Sequence, residues 1–160
     1  MEPIGLYIHV PFCTQKCPYC DFYSLTDTKQ MNNYTNCIIN KLYTYREMIG
    51  RDADTLYFGG GTPSPLGTSR LCSIIDEAKN CFGLEQAEIT VEVNPSGQLE
   101  ALFDALAQKG VNRISIGMQS VHAEELDLLG RIHTAKQAEM AVIAAHRAGI
   151  TNVSMDLMGG

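Results

Sequence analysis

Five short apolar or β-branched runs alternate with five helical patterns along 160 residues, and this alternation restricts the fold more than any other feature. The runs are Leu6–Val10, Thr55–Phe58, Glu88–Val93, Arg113–Met118 and Val153–Leu157. Between them, apolar residues recur at three- and four-residue spacing, the period of a helix with one buried face. Helices are predicted from about Lys29 to Ile49, Ser69 to Phe82, Gln98 to Gln108, Ala123 to Leu129, and from Thr134 to Gly149. Gly83, Gly110, Gly130 and Gly149 stand where helices end. Thr134-Ala-Lys-Gln137 reads as a capping box, in which threonine and glutamine each bond the other's backbone N–H. Strand-then-helix order of this kind predicts an α/β protein with a parallel sheet and right-handed crossovers.

In such folds ligand-binding groups collect at the carboxyl ends of the strands. The residues at the end of each run are therefore informative. The first run leads into Cys13-Thr-Gln-Lys-Cys17-Pro-Tyr-Cys20, the second into Gly59-Gly60-Gly61-Thr62-Pro63. The third closes with Glu92 and Asn94, the fourth with Gln119 and Ser120, and the fifth with Asp156. All five ends are expected to face one site.

Three cysteines at i, i+4 and i+7 in one short loop can turn their thiolates toward a common point, and soft thiolates select zinc, cuprous copper or an iron–sulfur cluster. Structural zinc usually takes four protein ligands. Cys37, Cys72, Cys81 or a histidine would have to supply the fourth. Four-iron clusters also usually take four cysteines, so three leave one iron open. A disulfide is disfavoured because Met1-Glu2-Pro3-Ile4 has no secretory pattern, and a cytoplasmic, reducing location is the expectation. The glycine run lacks the GK[ST] ending of a phosphate-binding loop. It reads as backbone that a ligand can approach closely.

Composition fits this picture: 45% hydrophobic, 19% charged, net charge −6. The acidic balance argues against a general nucleic-acid surface, and no apolar stretch approaches a membrane span. Cys37, Cys72 and Cys81 fall in amphipathic helices, where a free cysteine is ordinarily a small core residue. His9 reads as a satisfied strand histidine, with haem or porphyrin contact as the alternative; His122, His133 and His146 are uninformative singly.

Taken together, LYIHVPFCTQKCPYCDFYS, YFGGGTPS, EVNP, NRISIGMQS, LGRIHTAKQA and MDLMGG resemble the radical S-adenosylmethionine (SAM) superfamily. They resemble in particular the group of oxygen-independent coproporphyrinogen III oxidases and HemW-type haem chaperones. The resemblance covers essentially the whole chain. It implies a partial TIM-like (β/α) barrel, commonly of six βα units. Residues 1–160 would be an incomplete radical SAM core, ending after the fifth strand, with the sixth unit and a C-terminal region missing. It also implies a 4Fe-4S cluster on Cys13, Cys17 and Cys20. The open iron would take the amino and carboxylate groups of SAM, and an electron from the cluster would split the sulfonium to a 5′-deoxyadenosyl radical. By the same resemblance Tyr7, Tyr19, Gly61, Thr62, Pro63, Glu92, Gln119, Arg131 and Asp156 are SAM-site positions. No catalytic residue is assigned. Phe12 and Phe22 are expected to shield the cluster.

One departure matters. The oxidases carry another cysteine two residues after the third, and this chain has Cys20-Asp21-Phe22. Phe22 marks the haem-chaperone branch. The implied function is a haem-binding chaperone with cluster and SAM sites, delivering haem to an acceptor protein. A flavodoxin- or ferredoxin-type electron donor is implied as well. The alternatives are SAM-radical decarboxylation of coproporphyrinogen III, and a zinc-bound structural module.

Overall fold

The computed structural model describes residues 2–159. Its strands are β1 (Ile4–Val10), β2 (Ala53–Gly60), β3 (Glu88–Val93), β4 (Arg113–Gln119) and β5 (Asn152–Leu157). Its helices are α1 (Met31–Ile49), α2 (Thr68–Phe82), α3 (Glu100–Gln108), α4 (Ala123–Leu128) and α5 (Ala135–Arg147), with a 3-10 turn at Ser64–Leu66. The strands form one sheet in the order β1-β2-β3-β4-β5, every neighbouring pair parallel.

This order separates an arc of a barrel from an open doubly wound sheet. Each right-handed crossover steps to the next strand in the same direction, so all the helices fall on one face. A doubly wound sheet reverses direction and carries helices on both. The core lies between the helices and that single face. Ile8, Val10, Leu56, Phe58, Ile89, Val91, Val93, Ile114 and Ile116 from the strands meet Leu71, Ile74, Ile75, Phe82, Phe103, Leu106 and Ala145 from the helices.

The intervening strand positions point to the other, inner face, because strand side chains alternate. They are Gly5, Tyr7 and His9; Thr55, Tyr57 and Gly59; Glu88, Thr90 and Glu92; Arg113, Ser115 and Gly117; Asn152, Ser154 and Asp156. None is aliphatic. A barrel of this type is ordinarily filled by layers of branched apolar side chains. Here the inner wall is a hydrogen-bonded polar surface. Arg113 donates to Thr90 Oγ1 at 3.3 Å and Ser154 Oγ at 3.2 Å, and lies 3.6 Å from Glu88.

β1 and β2 begin earlier than the apolar pattern predicts, at Ile4 and Ala53, which pair with each other. Parallel pairing satisfies the backbone whatever the side chains, and the ladder resumes at Gly5–Thr55 across a register shift that skips Asp54. The Thr134–Gln137 capping box forms, with Gln137 N donating to Thr134 Oγ1 at 3.2 Å and Thr134 N to Gln137 Oε1 at 2.8 Å. Of the three helical cysteines only Cys81 is buried. Cys37 is exposed and Cys72 is intermediate, which corrects the expectation that all three are core residues. Cys37 sits on the outward face of α1, away from the buried Met31, Thr35 and Leu42.

Candidate functional site

The cysteine loop leaves β1 and is pinned back at once. Cys13 N donates to Leu25 O at 2.9 Å and Leu25 N to Pro11 O at 2.6 Å, closing residues 13–25 into a compact loop. Lys16 Nζ donates to Phe22 O at 2.8 Å inside it, and Gln15 Nε2 reaches Gly130 O at 3.2 Å outside it. Gly130, at φ 65°, permits this seat, since a Cβ there would come within 2.6 Å of Pro18 Cδ.

β2 delivers the glycine run against the same loop. Gly61 N donates to Val10 O at 2.8 Å and Thr62 N to Phe12 O at 2.7 Å. A Cβ on Gly61 would lie 2.8 Å from Phe12 O and 3.1 Å from Cys13 Sγ. Only glycine lets backbone and sulfur approach so closely.

β4 ends in a bulge: its register with β5 shifts between Gly117 and Gln119. Gln119 adopts φ 67°, the left-handed region seldom used outside glycine. His133 Nε2, buried, donates to Met118 O at 2.9 Å, as does Ser120 N. A bulge re-aims side chains next to functional sites, and here Gln119 lines the cavity at the strand ends.

That cavity, about 400 Å³, is lined by Cys13, Cys17 and Cys20 together with Tyr19, Gly61, Thr62, Glu92, Gln119, Arg131 and Asp156. The structure thus gathers all three expected metal ligands and seven of nine expected SAM-site positions around one space. Tyr7 and Pro63 stand apart from its lining. Tyr7 lies on the inner wall, stacked on Tyr57 at 6.0 Å between ring centres, its hydroxyl 3.2 Å from His9 Nδ1. His9 Nε2 donates to Tyr23 O at 2.9 Å, so Nδ1 is the acceptor for Tyr7 and both ring nitrogens are used. Pro63 opens the 3-10 turn behind the ledge. Phe12 is buried and meets Tyr34 edge-on at 5.3 Å. Phe22, expected to shield, lines the cavity mouth but is 67% exposed. Leu25 pins the loop's far end to the segment just past β1 through Pro11 O and Cys13 N.

Each acid in the cavity is steadied from the inner wall. Tyr57 OH donates to Glu92 Oε1 at 2.6 Å, and Ser115 Oγ to Asp156 Oδ1 at 3.2 Å. Burial, then the bond and charge of Glu92, push the Tyr57 phenol well above its ordinary range, so it stays a donor. Burial, and then the Glu92 charge, also raise Tyr7. Among the described residues Arg131 is the one cation in the lining, which also holds the carboxylates of Glu92 and Asp156. Its Nη2 donates to Gly117 O at 2.7 Å and Asn94 Oδ1 at 2.6 Å; its Nη1 lies 3.4 Å from Tyr19 OH and 3.7 Å from Cys17 Sγ. No sequence pattern marks Asn94, Tyr57 and Ser115 as partners of these groups. The residues they bond lie 37, 35 and 41 positions away, and only strand order brings them together.

The donor set fits a cluster. All three cysteines are free thiols, and soft thiolates are what iron–sulfur clusters take. Among the described residues, no three Cys, His, Asp or Glu side chains gather around a point suited to one metal ion. Tetrahedral zinc holds its thiolates at about 2.3 Å around a single centre. An iron–sulfur cube gives each thiolate its own iron. Three free thiols lining one cavity suit the cube.

Comparison with known proteins agrees with the geometry. Residues 7–160 match the Radical SAM superfamily. The chain is 41% identical to a protein named heme chaperone HemW of Escherichia coli, covering 100% of this chain and 43% of that one. It is 37% identical to HemW of Haemophilus influenzae, covering 100% and 44%. Among solved structures it superposes on the coproporphyrinogen III oxidase HemN of Escherichia coli, described as a radical SAM enzyme, with TM-score 0.90. Identity there is 27%, over 99% of this chain and 37% of that chain. The chain therefore spans less than half the length of the curated relatives it matches.

Proposed function

Since the chain belongs to the radical SAM superfamily, we propose that its strand-end cavity holds a 4Fe-4S cluster on Cys13, Cys17 and Cys20, with SAM beside it. We propose further that the protein acts as a haem chaperone. The observation that carries the first part is one cavity uniting three free thiols, a glycine ledge, one guanidinium and two carboxylates. A bound cluster would supply the electron that cleaves the SAM sulfonium.

The chain's own residues supply binding and orientation. SAM carries a carboxylate, an ammonium and a sulfonium, so it needs both signs of charge. Arg131 offers the positive group and Glu92 and Asp156 the negative ones. Gly61 lets the ligand lie against backbone, and Gln119, turned by the bulge, adds an amide at the rim. Tyr57 and Ser115 hold the acids in place, so little side-chain ordering is left for the moment of binding.

The chaperone reading rests on Phe22 and on the relatives named heme chaperones. Residues 1–160 would be an incomplete radical SAM core, with further chain needed for the complete activity. Haem or a porphyrin is the cargo, a haem-acceptor protein and a flavodoxin- or ferredoxin-type donor are the partners, and the cytoplasm is the compartment. The second reading, oxidative decarboxylation of coproporphyrinogen III, is favoured by the superposition on the oxidase.

Anaerobic reconstitution followed by iron and sulfide counting tests the cluster; four irons per chain are expected, and Cys17→Ala should lose them. Zinc bound without iron would overturn the assignment. Asp156→Ala should weaken SAM binding and leave iron unchanged. Incubation with SAM, reductant and coproporphyrinogen III separates the two activities. No turnover, with stoichiometric haem binding, is expected, and protoporphyrinogen IX formed over many cycles would refute the chaperone.

A further inference from the structure

Asn94, just past the end of β3, belongs to none of the positions so far given a ligand role, yet it joins two of the three cysteines. Its Oδ1 accepts from Arg131 Nη2 at 2.6 Å, and its Nδ2 donates to Thr62 Oγ1 at 3.0 Å. Arg131 Nη1 in turn lies 3.7 Å from Cys17 Sγ, and Thr62 Oγ1 lies 3.8 Å from Cys13 Sγ. We infer that Asn94 is a positioning residue that aims two hydrogen-bond donors at the sulfurs of Cys17 and Cys13, and so sets the reduction potential of the cluster they hold. The inference rests on the cluster assignment above.

The direction of each bond follows from elementary donor counting. A guanidinium can only donate, so the amide must present its oxygen to Arg131. That fixes the NH₂ end toward Thr62. The Thr62 hydroxyl is then an acceptor from Asn94, and its single proton is free to point elsewhere. Cys13 Sγ is the neighbour in reach, and a metal-bound thiolate can only accept. One amide orientation therefore determines both sulfur contacts.

Packing holds the arrangement. Thr62 is 4% exposed. A Cβ on Gly117 would lie 3.1 Å from Arg131 Nη2 and 3.3 Å from Asn94 Oδ1, so the absence of a side chain there leaves the pair its room. Hydrogen bonds to cluster sulfurs stabilise the reduced, more negative state and raise the potential.

The test is an anaerobic redox titration of the reconstituted protein without SAM, read by electron resonance, with iron counted on every sample. Asn94→Ala releases both donors, and its potential should fall by about 59 mV or more, a tenfold loss in the reduced-to-oxidised ratio for one electron. Thr62→Val removes one donor at similar size and should shift the potential the same way by less. Asn94→Asp keeps the Arg131 contact but turns the Thr62 proton toward its carboxylate, so it should also lower the potential. If Asn94→Ala loses iron, the other two variants decide. Unchanged potentials in Thr62→Val and Asn94→Asp at full iron content would overturn the inference. A wild-type chain that takes up no iron would instead overturn the cluster assignment, and the inference with it.

Discussion

At the residue scale, the inner wall works by pairing each cavity acid with a hydroxyl, half-buried on Tyr57 and buried on Ser115. Ser115, 4% exposed, touches both Asp156 oxygens, at 3.2 and 3.4 Å, and receives Ser154 Oγ at 3.1 Å. Ser154 is held in turn by Arg113. A hydrogen bond to a charged group contributes about 1.5–3 kcal/mol, and about 1.4 kcal/mol is tenfold in affinity. Ser115→Ala is therefore expected to weaken SAM binding about tenfold while iron content holds, measured by anaerobic calorimetry. Tyr57→Phe should act alike through Glu92. The cysteines and the glycine run were legible in the sequence because spacing along one short segment carries their meaning. Asn94 was legible as a strand-end residue facing the site, but its bonds were not, nor were Tyr57 and Ser115, because a single polar residue says nothing of a partner dozens of positions away.

At the element scale, the bulge ending β4 joins sheet to site. His133 supports it through Met118 O, and burial holds its imidazole below the ordinary histidine range, with the Arg131 charge adding and the carbonyl bond opposing. The folded state takes up that proton less readily than the unfolded chain. Stability is then complete above the ordinary pKa of about 6.5 and falls as pH drops below it toward the folded value. The urea midpoint should decline between about pH 7.5 and 5.5, and His133→Gln should flatten that decline. Thr134→Ala removes the cap of α5 and is expected to cost about 1 kcal/mol, seen as a melting point lower by about 2–4 °C. The capping box was readable because its four residues are contiguous. The bulge was not, since its cause is a mismatch of register between two strands. The early starts of β1 and β2 escaped the apolar pattern for a similar reason: backbone pairing needs no particular side chain.

At the scale of the whole molecule, the packed core and the polar wall that leads to the candidate site occupy opposite faces of one sheet. Phe58 and Phe103, both fully buried, lie on the packed side. Truncating such a residue to alanine costs about 3–5 kcal/mol. Phe58→Ala should therefore lower the chemical unfolding midpoint sharply. The parallel sheet and its right-handed crossovers could be read from the alternation of runs. The polar character of the inner wall follows from the same alternation once the strand order is known, and the sequence alone does not supply that order.

A wall of hydroxyls, amides and charges is held by its own hydrogen bonds, apart from the aliphatic layer on the other face, so its members can be exchanged in matched pairs without opening that layer. New cargo or new chemistry could be accommodated by redecorating that wall alone. The architecture leaves the interior adaptable while the exterior helices keep the shape.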